Sequence, residues 1–156
     1  MQMFLEGVRR LVLPRFAYDL TLYDRVKNVR LIWEQKPATF WETFNTETAS
    51  TGFEVCYYKA GEPVLHDAKV IRLLAWTNKD LCTPSHTGFV LIHELCHAAR
   101  KLGGHDDEWA ALCRRIGILE CHWFYVGEMR LLGRDMDRFL DKELERDIEA
   151  LPGFDR

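Results

Sequence analysis

Residues 87–105, which read TGFVLIHELCHAARKLGGH, decide the fold of this chain. From Thr87 to Leu102 the sequence is apolar on nearly every side of a helix, and this predicts a central, buried helix rather than a surface one. Gly103 and Gly104 predict its end, because glycine is common where a chain leaves a helix. We therefore expect the rest of the domain to be built around this helix.

The buried helix carries an HExxH pattern, His93-Glu94-Leu95-Cys96-His97. Histidines four residues apart lie one turn apart on the same helix face, so both imidazoles can reach one metal ion. Glu94 lies about 100° round the helix from His93, where its carboxylate can reach a water on the metal without being a ligand. Burying these polar groups without partners would be costly, and a metal ion compensates them together. The pattern predicts a catalytic zinc site with Glu94 as the general base.

A catalytic zinc ion usually has three protein ligands and one open position, so a third ligand must come from elsewhere in the chain. His105 is the best candidate, because Gly103 and Gly104 let the chain reverse after the helix and bring His105 back towards it. The competing interpretation of His105 is an exposed loop histidine beside acidic residues. Other side chains could be the third ligand instead: Asp106, Asp107, Glu108, Glu120 and His122.

The remaining sequence predicts a helix, a β-rich middle and further helices. Apolar residues recur at helical spacing from Phe4 to Val12, and Pro14 stops the pattern. Alternating residues predict strands at 29–34 and 53–58, and a run rich in branched apolar residues predicts a third at 70–76. The stretch 35–50 reads as a long loop or an extra strand. Three more signals complete the predicted elements: a helix start at Thr83-Pro84-Ser85, a helix from Asp106 or Asp107 to Gly117, and a last amphipathic helix from Met136 to Leu151.

Composition places the chain among globular proteins with a single domain. Its 156 residues are enough for one core and too few to predict two. A net charge of −3 gives no overall attraction to nucleic acid. Five scattered cysteines without a CxxC pair favour a reducing compartment. With no signal peptide or membrane-spanning run in the sequence, we expect a cytoplasmic protein with no membrane partner.

Four motifs together resemble the SprT-like (Spartan-like) zinc metallopeptidases. HELCHAA at 93–99 is similar to the active helix of that family, and GHDDEWAALCRRI at 104–116 to the segment that contributes its third histidine ligand, here His105. KVIRL at 69–73 resembles the strand before the active helix. TASTG at 48–52, with Trp33 upstream, resembles a hairpin of the family. The resemblance covers about Val29 to Ile116, more than half of the chain.

Some positions depart from the family pattern. Asp106 stands where the family has a glycine after the third histidine, and Leu74 where it has serine or threonine. The zinc ribbon that many members carry at the C-terminus, and that helps some of them engage DNA, is not recognisable in this sequence. A DNA-linked role is therefore an expectation from the resemblance alone.

The resulting expectation is an α+β fold: a single compact zincin-like domain of minigluzincin or SprT-like type over 1–156, with a small sheet packed on the HExxH helix. Its core would span about 25–117, and 118–156 would form a C-terminal helical extension. Zn²⁺ would be held by His93, His97 and His105, with Glu94 catalytic. The substrates would be proteins or peptides, including DNA-associated proteins.

Two other classes of function fit the sequence. One is a non-catalytic, zinc-stabilised binding module. The other is a nucleic-acid-binding protein that uses its basic N-terminal segment. The oligomeric state is left open.

Several further side chains have two interpretations each. The Val70–Trp76 strand is either the edge along which a substrate main chain lies or an ordinary core strand. Arg72 either binds substrate or forms a structural ion pair, and Cys96 is read as a small core residue. Tyr57, Tyr58 and Tyr125 are candidate oxyanion donors. Cys121-His122 is a weak metal-binding signal.

Overall fold

The computed structural model describes residues 1–35, 49–52, 70–75, 83–100, 105–119 and 140–154. These residues form a helix-rich fold with one small sheet. The elements in chain order are α1 (Gln2–Val12), a 3-10 helix (Leu13–Phe16), α2 (Leu20–Asn28), β1 (Arg30–Gln35), β2 (Ala49–Gly52), β3 (Val70–Ala75), α3 (Pro84–Ala99), α4 (Asp107–Ile116) and α5 (Lys142–Glu149).

The sheet has the strand order β1-β3-β2, so β3 is its central strand. β1 runs parallel to β3, with Arg30 opposite Val70, and β2 runs antiparallel to it, with Gly52 opposite Val70. Interpreting the Val70–Trp76 strand as a substrate-binding edge is therefore wrong, because its backbone groups pair with a neighbour on each side. It is a core strand, and its Ile71 and Leu73 side chains are fully buried.

Helix α3 is the predicted central helix. It begins at Pro84, and the Thr83 hydroxyl accepts a hydrogen bond of 3.1 Å from the His86 amide at its first turn. From Ser85 to Ala99 every residue is buried except His93 and His97, which are partly exposed. The helix ends at Ala99, three residues before the predicted end, and residues 101–104 lie outside the part of the chain that the structure describes.

Both ends of the chain pack into the core around α3. Helix α1 contributes Phe4, Leu5, Val8 and Val12, all fully buried. Near the other end of the chain, Ile118, Leu140, Leu144 and Ile148 belong to the same hydrophobic cluster. The division into a core at about 25–117 and an extension at 118–156 stays a prediction, but the apolar faces of α1 and α5 lie inside this one core.

Helix α2 is an element that the sequence patterns did not predict. Asp19 caps it, accepting hydrogen bonds of 2.8 Å from the Thr21 amide and 3.2 Å from the Leu22 amide. Only Val26 of this helix is buried, so its sequence has no marked apolar stripe. The capping aspartate was the signal that could have located it.

Other predicted elements are observed in part. The last helix begins at Lys142, after its cap Asp141, and residues 136–139 of the predicted helix lie outside the described residues. The predicted strand at 53–58 and residues 36–48 also lie outside the described residues, and β2 begins at Ala49. Among the helices that the structure describes, none is both long enough and apolar enough to cross a membrane.

Three arginines of the N-terminal segment tie it to helix ends. Arg9 donates to the Val29 carbonyl after α2 at 2.6 Å, Arg15 to the Ile116 carbonyl at 2.9 Å, and Arg25 to the Ala99 carbonyl at 2.7 Å. The last carbonyls of a helix lack partners within it and carry partial negative charge, so cations near them are stabilising. Arg25 in this way fixes the C-terminal end of α3.

Candidate metal centre

Three histidine rings converge at the C-terminal half of α3. His93 and His97 come from this helix, and His105 comes from the residues just before α4. The Nε2 atoms are 3.2 Å apart between His93 and His97, 3.0 Å between His97 and His105, and 3.2 Å between His93 and His105. The three residues expected to be ligands are therefore close enough together to hold a metal ion.

The spacing of these nitrogens fits a metal ion better than it fits hydrogen bonding. Two nitrogens bonded at about 2.0–2.1 Å to one tetrahedral ion would lie about 3.3 Å apart, close to the 3.0–3.2 Å found here. Each Nε2 is either a donor or an acceptor. In any neutral arrangement of the triangle, at least one pair of nitrogens must therefore meet as two acceptors or two donors. A cation between the three lone pairs removes this conflict.

The surroundings favour the neutral form of the rings, which is the form that binds metal. The pKa of His93 is lowered from 6.5 to about 3, chiefly by burial and also by charge repulsion from His97 and His105. Burial also lowers the pKa of His105 below its ordinary value. At neutral pH these two rings therefore present lone pairs rather than positive charge.

Glu94, the expected general base, lies on α3 next to His93 and is 9% exposed. A carboxylate with so little access to water is costly to bury unless it has polar partners. Its place in the sequence puts it at the metal-binding turns of the helix without making it a member of the nitrogen triangle. Such a position suits a group that handles protons rather than one that binds the ion.

An arginine holds the segment that carries His105. Arg100, just after α3, donates through both terminal nitrogens to the two carboxylate oxygens of Asp106, and also to Glu108 at 3.0 Å. Asp106 Oδ1 in turn accepts a 2.8 Å hydrogen bond from the Trp109 amide and so caps α4. The hydrogen bond from Arg100 is the main cause of the lowered pKa of Asp106. These contacts fix the chain on both sides of the 101–104 connection.

The same contacts engage two of the other candidates for the third ligand. Asp106 and Glu108 engage Arg100, and Asp107 is an exposed residue in the first turn of α4. None of the three belongs to the group of side chains that could share an ion within the described residues. Glu120 and His122 lie outside the described residues. Of the candidates that can be compared, His105 is the one that meets His93 and His97.

Trp109 belongs to the site, although the sequence suggested only that it was part of the apolar stripe of α4. Its ring centre lies 4.7 Å from that of His93, 5.0 Å from that of His97 and 4.7 Å from that of His105. The ring is nearly parallel to His97, at 20°, and meets the other two edge-on. The signal in the sequence was its spacing of four residues from His105, which places it one turn into the following helix.

The other predicted side chains have simpler outcomes. Cys96 is a fully buried free thiol outside the histidine cluster, which confirms that it is a core residue. The Arg72 side chain is not among those that the structure describes. The tyrosines proposed as oxyanion donors and the Cys121-His122 pair also lie outside the described ranges.

Comparison with known protein families, with curated proteins and with solved structures found no match to this chain.

Proposed function

We propose that this protein is a zinc-dependent metallopeptidase with an α+β, zincin-like domain of the SprT-like type. One observation carries the proposal: the Nε2 atoms of His93, His97 and His105 lie 3.0–3.2 Å apart, beside a buried glutamate in the HExxH order. Three histidine ligands leave one position for water or substrate, which is typical of catalytic rather than structural zinc.

The chemistry divides between the ion and one side chain. Zinc bound by the three histidines would lower the pKa of a water towards about 7 and polarise a peptide carbonyl. Glu94 accepts the proton of the attacking water and returns it to the leaving amine.

The substrate class follows from the family resemblance. The motifs over Val29–Ile116 resemble those of SprT-like peptidases, whose substrates are proteins, including proteins associated with DNA. The resemblance thus favours protein or peptide substrates for this chain, with DNA association as the narrower version of the same proposal.

The proposal is tested by separating metal binding from cleavage. We expect Glu94→Gln to retain zinc, measured by elemental analysis after gel filtration, and to lose casein cleavage. Glu143→Gln, an exposed position on α5, is the matched control and should cleave like the native protein. Full cleavage by Glu94→Gln would show that Glu94 is not the general base.

The third ligand is tested by its own substitution. We expect His105→Ala to lose most of its zinc and to keep its helical circular dichroism, because His105 lies at the surface, before α4. Unchanged zinc content would move the third ligand to Glu108, Glu120 or His122.

A non-catalytic zinc module is the first competing function. It would bind zinc and be stabilised by it, yet cleave neither casein nor DNA-bound protein at any enzyme concentration. Structural zinc sites usually have four protein ligands, whereas the group of potential ligands in the described residues has three.

Nucleic-acid binding through the N-terminal segment is the second competing function. The guanidinium groups of Arg9, Arg15 and Arg25 donate hydrogen bonds to backbone carbonyls. Phosphate contacts from the N-terminal segment would have to compete with these three interactions. Tight binding of double-stranded DNA that weakens steeply with added salt, and that Arg10→Gln and Arg30→Gln together abolish, would favour this alternative.

A further inference from the structure

The four rings of the site have an arrangement that carries a further inference. The centres of His93, His97 and His105 are 4.7–5.1 Å from one another, and the Trp109 centre is 4.7–5.0 Å from all three. Four points with six nearly equal separations form a tetrahedron. Trp109 therefore lies over one face of the triangle that the histidines make, rather than beside one of them.

We propose that Trp109 is the closed wall of the metal centre: it sets the orientation of the three imidazoles and leaves only the opposite face of the ion open to water and substrate. This inference rests on the proposed metal centre. It assigns to Trp109 a positioning role and predicts on which side of the nitrogens the reaction takes place.

Distances within the cluster support the wall. The height of a tetrahedron is about 0.8 of its edge, so the indole centre lies about 4 Å from the plane of the three histidine centres. An ion bonded at about 2.0–2.1 Å to each nitrogen stays within about 1 Å of the nitrogen plane. A further ligand about 2 Å from the ion on the Trp109 side would then lie about 1–3 Å from the indole centre, inside the carbon contact distance of about 3.5 Å. Such a ligand is sterically excluded.

Burial and bonding of Trp109 agree with a role in holding the rings. The side chain is 5% exposed, and its indole Nε1 finds no hydrogen-bond partner among the described residues. A buried tryptophan usually pairs this N–H, and no described residue holds the indole by its polar end. The ring contacts to the histidines and the backbone hydrogen bond to Asp106 hold it there.

The test uses Co²⁺ in place of zinc, because the visible absorption of Co²⁺ reports coordination geometry directly. We expect the native protein and Trp109→Phe, which keeps an aromatic wall, to share one spectrum and one affinity. Trp109→Leu should bind Co²⁺ about tenfold more weakly or worse. Its absorption should be weaker, as expected for additional water ligands. Leu112→Ala, another buried position on α4, is the control and should lower Tm while leaving the spectrum unchanged.

Two results would overturn the wall. One is a Trp109→Leu protein, folded by circular dichroism, with the native Co²⁺ spectrum and affinity. The other is equal quenching of tryptophan fluorescence by Co²⁺ in the native protein and in Trp109→Phe, a measurement that does not need Trp109→Leu to fold. Failure of the native protein to bind Co²⁺ or zinc would instead overturn the proposed metal centre itself.

Discussion

Acidification should destabilise the metal-free protein through His93. The folded state holds this imidazole neutral down to a pKa of about 3, whereas the unfolded chain takes up the proton near 6.5. Between these values the unfolded state binds one more proton, so stability falls with decreasing pH by up to about 1.4 kcal/mol per pH unit. From pH 7.5 to 5.0 the integrated loss is about 2 kcal/mol, and it is insensitive to the folded pKa as long as that lies well below 5.

Urea unfolding of chelator-treated protein at the two pH values measures this loss. The comparison is with His93→Gln, which removes the titrating group and cancels contributions of carboxylates that both proteins share. The free energy of unfolding of the native protein should fall by about 2 kcal/mol more than that of the variant. Parallel behaviour of the two proteins, within about 0.5 kcal/mol, would refute a depressed His93 pKa.

Three further substitutions have expected outcomes. Gly88→Ala would place a Cβ 2.9 Å from two carbons of Ile148, so this overpacking between α3 and α5 should cost about 1–3 kcal/mol in urea unfolding, with partial rescue by Ile148→Val. Gly117→Ala should cost about 1–3 kcal/mol by thermal unfolding, since Gly117 has a φ of 126°, which residues with a side chain rarely adopt. Arg100→Gln should weaken zinc binding about tenfold in a competition titration, because the segment bearing the third histidine loses its anchor. Arg100→Lys should restore only part of the affinity, since lysine cannot make the two-pronged contact with Asp106.

Local signals located the centre of the molecule. The apolar run around HExxH identified α3, and the i, i+4 spacing placed His93 and His97 on one face, as the nitrogen distance of 3.2 Å shows. The glycine pair and the aspartate after it were enough to expect His105 near the end of α3. These features depend on residues within about a dozen positions of one another, so they can be found by periodicity and capping rules.

Long-range features were not accessible in the same way. The branched apolar residues of Val70–Ala75 indicated a strand but not its neighbours, because strand order depends on pairing with segments far away in the chain. Trp109 reads as an ordinary apolar position of α4, and only the folded helix pair brings its ring over the histidines. The link from Arg15 to Ile116 spans 101 residues and leaves no trace in local sequence.

The three candidate ligands lie within thirteen consecutive residues, from His93 to His105, and this has a thermodynamic consequence. A short segment with three imidazoles remains a multidentate chelator after the protein has lost its structure. A ligand stabilises a protein only to the extent that it binds the native state more tightly than the denatured state. Zinc binding to the denatured chain therefore reduces the stabilisation. Zinc should therefore raise the melting temperature by less than its affinity for the native protein implies. The thermally unfolded chain should keep part of its bound zinc.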